Sequence, residues 1–251
     1  MLNPIKTRVL SLSVVALASL LSGEAAHAAL ALDRTRVVLN GGEKSVSLNV
    51  SNQNHELPYL AQAWVEDAQG KKITDPLLAL PPVQRIEPGS KSQIKVQSTP
   101  AMSVLAQDKE TLFYFNLREI PPKSDKPNTL QIALQTRIKL FYRPASLVVN
   151  PSDKPWQEQV TLTRNGDRYV ANNPTGYYVS IVEVSSSLKG AADKRFKPVL
   201  IAPKSSETLG ISAADLGGSP VLTYINDYGG RPKLVYGCSG SSCTVKSTQA
   251  G

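Results

Sequence analysis

An all-β protein built as two sandwich domains is the fold that three features of the 251-residue sequence predict. From Arg36 onward, short runs rich in Val, Ile, Thr and Tyr are separated by turn residues. Stretches of helical period are almost absent. Pro144 and Pro151 flank a short connection that divides the runs into two sets, each of ordinary domain size.

In the first set, strands are expected over residues 35–39, 45–51, 59–66, 91–98 and 111–119. Asn40-Gly41-Gly42, Ala68-Gln69-Gly70 and Glu87-Pro88-Gly89 supply turn chemistry between them. Residues 45–51 read Ser-Val-Ser-Leu-Asn-Val-Ser, a strict alternation that buries one face and wets the other. The longest candidate covers residues 130–142 and stops at Arg143-Pro144. A second set is expected over residues 160–163, 169–172, 177–184, 221–226 and 234–236. Helical turns are expected only at 102–108 and 213–216.

The first 28 residues read as a secretory signal. Lys6 and Arg8 precede an apolar run over residues 9–21, Gly23 breaks it, and Ala26-His27-Ala28 offers small residues to a peptidase, which puts the mature N-terminus at Ala29. The run is too short for the roughly 20 residues that span a bilayer. Residues 1–28 are thus expected to be signal, 29–146 an N-terminal domain and 147–251 a C-terminal domain. Export places the chain in an oxidising compartment, where Cys238 and Cys243 are expected to bond and pin a terminal hairpin, a contribution of about 2 kcal/mol for so small a loop.

The formal charge is +8, and losing Lys6, Arg8 and Glu24 with the signal leaves +7. The cations are scattered, with no basic tract interleaved with aromatics, so nucleic-acid binding is not expected. Catalysis is not expected either. His55, the one histidine beyond the signal, sits in a polar turn. No spacing of His, Cys and acids suits a metal, no Gly-rich phosphate loop precedes a helix, and no cofactor is implied. A secreted glycan- or protein-binding module such as an adhesin, and a periplasmic enzyme requiring a specific acid or nucleophile, are the classes against which any closer resemblance is weighed.

The blocks Leu32-Asp33-Arg34-Thr35-Arg36, residues 53–64, Pro81-Pro82-Val83-Gln84-Arg85, residues 112–122, residues 130–144, and Tyr224-Ile225-Asn226-Asp227-Tyr228-Gly229-Gly230-Arg231-Pro232 stand in this order along the chain. Together they resemble the PapD-like family of periplasmic pilus chaperones. The likeness spans both halves and weakens over 147–167 and 185–216. It implies two immunoglobulin-like β-sandwiches in a boomerang arrangement, located in the periplasm. It also implies that the chain binds, folds and caps pilin subunits and adhesin by lending them a strand, then delivers them to an outer-membrane usher.

The lent strand falls on residues 130–139, with Leu130, Ile132 and Leu134 entering the subunit groove. Arg36 and Lys139 fall where the family grips the subunit's C-terminal carboxylate, and Glu110, Arg143 and Asp227 where it carries an interdomain charge network. The short segment 120–128 resembles the short-loop branch. Whether the free chaperone caps itself as a homodimer, and which subunits and usher it serves, stay open at this point.

Overall fold

The computed structural model describes residues 28–150 and 152–251. The expected signal lies outside the described residues except for Ala28, as does Pro151.

Ten strands build the first sandwich: β1 (Leu30–Leu32), β2 (Arg36–Asn40), β3 (Ser45–Asn52), β4 (Tyr59–Asp67), β5 (Lys72–Ile73), β6 (Leu77–Leu80), β7 (Val83–Ile86), β8 (Lys91–Ser98), β9 (Thr111–Ile120) and β10 (Gln135–Arg143). One sheet has the order β1-β3-β8-β6, and the other β2-β10-β9-β4-β5 with β7 also paired to β4. The alternation read from residues 45–51 places Leu48 and Val50 in the core, where Ile94 and Val96 of β8, the register partners of Leu48 and Val46, are also buried. Ala61, Val65, Phe115, Leu117 and Leu140 close that core from the second sheet.

The N-terminal segment changes sheets. β1 pairs antiparallel with β3, and after residues 33–35 β2 pairs with β10 in parallel. That parallel pair sets Arg36 beside Lys139 and Asn40 beside Arg143. The chain turns away from β2 at Gly41, whose N–H donates to the Arg143 carbonyl at 2.6 Å, and a β-carbon there would collide with the Ala145 backbone nitrogen.

The second core is enclosed by β11 (Thr161–Asn165), β12 (Arg168–Asn173), β13 (Val179–Ser185), β14 (Val199–Ile201), β15 (Ser205–Ser212), β16 (Val221–Tyr224), β17 (Lys233–Ser239) and β18 (Ser242–Gln249). They form one eight-stranded sheet, order β14-β13-β16-β17-β18-β11-β12-β15, and every strand contributes a buried side chain to the same core, so the sheet wraps around it. A single helical turn, α1 (Ala213–Leu216), is capped by the Ser212 hydroxyl accepting from Ala214 N at 3.1 Å. Cys238 and Cys243 are register partners across β17 and β18 and are bonded.

Three differences from the sequence reading have physical causes. The expected strand over 130–142 starts only at Gln135, because continuing it would set residues 131–132 against Pro121-Pro122, which have no N–H to donate. The turn expected at 102–108 is a 3-10 turn over Pro100–Val104, started by Thr99. β15 is mostly polar, with only Leu209 and Ile211 buried, so its composition hides a strand.

The domains meet along a seam. Glu110 N donates to the Gly176 carbonyl at 2.8 Å, and a β-carbon on Gly176 would stand 2.9 Å from the Asp108 carbonyl oxygen. Only glycine lets the two backbones approach so closely. Phe141 packs on Tyr178 with ring centroids 5.5 Å apart.

Candidate functional site

β10 is an interior strand for only part of its length. β9 pairs with it across residues 135–142, whereas β2 covers the other side only from Lys139 to Arg143. An open margin therefore runs up to Ile138 and ends where Arg36 begins β2. Residues 130–134 lead into it outside the sheet, rooted by Glu119 N donating to the Leu134 carbonyl at 3.0 Å and by Gln131 Nε2 donating to the Pro122 carbonyl.

Leu130, Ile132 and Leu134 are 85%, 65% and 41% exposed. In an extended chain alternate residues share a face. In sequence these three are in phase with Ile138, Leu140 and Tyr142, which are buried in the first core. Sheet margins are usually blunted by charge or proline, because unpaired backbone beside apolar side chains invites another chain. Here the margin presents leucine and isoleucine.

The margin ends at two cations. Arg36 and Lys139 are register partners on parallel strands and project from the same face, with strands about 4.8 Å apart. Arg36 is buried, and its Nη1 donates to the Ile225 carbonyl of the second domain at 2.9 Å. Burial holds its guanidinium below the ordinary arginine value, an effect that Asp227 and Glu110 offset only in part. Lys139 is half-buried, and burial, then Arg36 and Arg137, hold it below the ordinary lysine value. Among the described residues neither cation has a carboxylate within ion-pair distance. Two partly desolvated positive groups side by side, neither paired directly with a carboxylate, suit an anion.

At the other end of the same face, Arg143 lies between two carboxylates. Its Nε donates to Glu110 Oε1 at 2.8 Å, and its Nη1 and Nη2 donate to Asp227 at 2.7 and 3.1 Å. Glu110 Oε2 also accepts from Tyr178 N at 2.7 Å, so the cluster ties β9 and β10 to the second domain. Burial opposes the Arg143 charge, but the Asp227 and Glu110 carboxylates outweigh it and hold its value up. For Glu110 burial prevails over Arg143 and pushes the carboxyl up. Arg143 also stacks over Trp156, 4.9 Å from the ring centroid. A cleft of about 810 Å³ lies between the domains, lined by Arg36, Arg143, Trp156, Tyr224, Asp227 and Tyr228 among others.

An apolar margin, a pair of adjacent cations and a buried charge cluster at the domain seam thus stand together in one chain. The family model described as "Pili and flagellar-assembly chaperone, PapD N-terminal domain" matches residues 29–148, and that of the PapD C-terminal domain matches 155–236. The chain belongs to the PapD family of pilus-assembly chaperones. Chaperone protein PapD of Escherichia coli is 53% identical over 222 residues, covering 88% of this chain and 91% of that protein. A probable fimbrial chaperone of Escherichia coli K12, YfcS, is 49% identical over 241 residues, 95% of each. Among solved structures, the CupB2 chaperone of Pseudomonas aeruginosa superposes with a TM-score of 0.67 at 29% identity, covering 83% of this chain and 100% of that one.

The two-domain, nearly all-strand architecture is therefore that of PapD-type chaperones, and the chain is a pilus-assembly chaperone and not an enzyme. Of the residues singled out from sequence, Arg36 and Lys139 are brought together, as are Glu110, Arg143 and Asp227, while Leu130, Ile132 and Leu134 lie on the open margin. Sequence reasoning missed the Ile225 carbonyl, a backbone group with no residue signature, and Trp156, one aromatic in a stretch of weak likeness.

Proposed function

We propose that this chaperone caps a pilin by lending it residues 130–139, with Leu130, Ile132 and Leu134 filling the subunit's groove and Arg36 and Lys139 holding its terminal carboxylate. The observation that carries this reading is an exposed apolar segment leading to a pair of cations without a direct carboxylate partner among the described residues. Backbone pairing supplies affinity and the alternating side chains fix register.

The geometry also sets direction. β2 runs parallel to β10 and starts at Arg36, so a strand lying on the margin with its C-terminus at Arg36 and Lys139 is parallel to β10, end to end with β2. Domain limits of 29–146 and 147–251, export to the periplasm, the short-loop branch, service of adhesins and delivery to an outer-membrane usher complete the proposal. A second copy of the chain fits the same margin when no subunit is present, and sedimentation velocity over a concentration series reads that self-capping.

Co-expression with the neighbouring fimbrial subunits is the direct test, and the expected result is a one-to-one complex. Arg36→Ala and Lys139→Ala each remove charge-assisted bonds worth about 1.5–3 kcal/mol apiece, so subunit recovery is expected to collapse while the chaperone stays folded. Normal recovery with either variant contradicts the anchor.

The Lys139 charge gives a pH dependence. Its ammonium is held down by burial and Arg36 in the free protein, and a bound carboxylate raises it. Affinity is therefore complete while Lys139 is protonated and is lost as pH rises through the lowered value, beginning below the ordinary 10.5. A binding titration against pH reads this, and Lys139→Met is expected to flatten that limb.

A further inference from the structure

A single loop of the C-terminal domain, residues 225–230 between β16 and β17, reaches two arginines of the N-terminal domain. The Ile225 carbonyl accepts from Arg36 Nη1 at 2.9 Å, and two residues on the Asp227 carboxylate holds Arg143 at 2.7 and 3.1 Å. Asn226, between them, gives the loop its shape. Its Oδ1 accepts from Tyr228 N at 3.1 Å and Gly230 N at 2.8 Å, its N–H donates to the Gly230 carbonyl at 3.1 Å, and its carbonyl accepts from Gly229 N at 3.1 Å. The base is fixed where Ile225 N donates to the Ser180 carbonyl of β13 at 3.0 Å. Both remaining glycines are shaped to fit. A β-carbon on Gly230 would stand 2.9 Å from Asn226 Nδ2, and one on Gly229, whose φ is 85°, would stand 3.0 Å from Thr35 Oγ1, next to Arg36.

Arg36 depends on that loop. It is 7% exposed, its Nε is buried without a partner among the described residues, and its one described side-chain hydrogen bond is to Ile225. A long side chain is costly to fix in one rotamer, and a guanidinium recognises a carboxylate well only when already oriented. Lys139, by contrast, has no described side-chain bond to the C-terminal domain.

We propose that the loop 225–230 is the positioning element of the carboxylate anchor: Asn226 sets its shape, Asp227 docks it on Arg143, and the Ile225 carbonyl then orients Arg36. The proposal rests on reading Arg36 and Lys139 as that anchor. Domain docking and recognition of the subunit's chain end become one coupled equilibrium, so a bound carboxylate tightens the domains as much as docked domains tighten its binding.

The test uses two soluble synthetic peptides with the same alternating apolar sequence, one ending in a carboxylate and one in an amide, titrated into the full-length chaperone. The unsubstituted protein is expected to prefer the carboxylate by about tenfold or more, the size of one charge-assisted bond. In Asn226→Ala, which removes only side-chain hydrogen bonds made within the loop, the preference is expected to fall below about threefold with the amide peptide bound as before. Gly230→Ala, which displaces the Asn226 side chain, is expected to act in the same direction. An equal fall for both peptides means that Asn226 is only structural and overturns the proposal, as does a preference that survives in both variants. If the unsubstituted protein binds the two peptides equally, the anchor itself is gone, and the positioning role with it.

Discussion

Replacing Leu130, Ile132 and Leu134 together by serine is expected to abolish recovery of a chaperone–subunit complex while leaving the chaperone's own unfolding transition in place. Each apolar side chain driven into a subunit groove contributes about 1.5–3 kcal/mol before the cost of ordering the partner. Losing all three removes at least about 4 kcal/mol, roughly a thousandfold in affinity. In the free chaperone the same residues are 85%, 65% and 41% exposed, so serine there opens no core cavity, and each change should stay within about 0.5 kcal/mol of stability. The two halves of the result separate lending from folding. Urea unfolding of the purified variant and co-purification of the subunit read them independently. Undiminished complex with the triple variant would remove the margin from the mechanism.

That margin shows how far sequence reaches in this chain. Alternation over 130–142 predicts which side chains share an apolar face, because period-two patterning is a property of the strand itself. It did not reveal that pairing stops at Gln135, because that depends on Pro121-Pro122 just past the end of β9 and on where β2 begins. The same limit explains β15, whose polar residues pair through their backbone, and the short β14. Nothing in spacing could have joined Glu110 to Arg143, 33 residues apart, or Arg143 to Asp227, 84 residues on. Those positions were legible only through likeness to a family. The Arg36–Ile225 bond, across 189 residues and ending on a backbone carbonyl, was not legible at all.

Arg143→Ala should be the most damaging single substitution for stability. The arginine is buried, it bridges Glu110 and Asp227, and it lies over Trp156 and Tyr177. Its removal strands the buried Glu110 carboxylate, and breaking such a pair costs about 3–5 kcal/mol. Glu110 is already pushed up by burial against the pull of Arg143, so without that cation it rises further. A carboxyl whose folded value exceeds its unfolded one favours the fold most below the unfolded value, and that benefit is lost as pH rises. The deficit of Arg143→Ala relative to the unsubstituted protein should therefore shrink as pH falls toward 4.5, the ordinary glutamate value. Adding Glu110→Gln to Arg143→Ala removes the stranded charge and should recover part of the loss at neutral pH, with no recovery near 4.5. Urea unfolding at both pH values reads all four quantities. A loss below about 1 kcal/mol for Arg143→Ala, within the range of an exposed ion pair, would demote the cluster from a hinge to a surface contact.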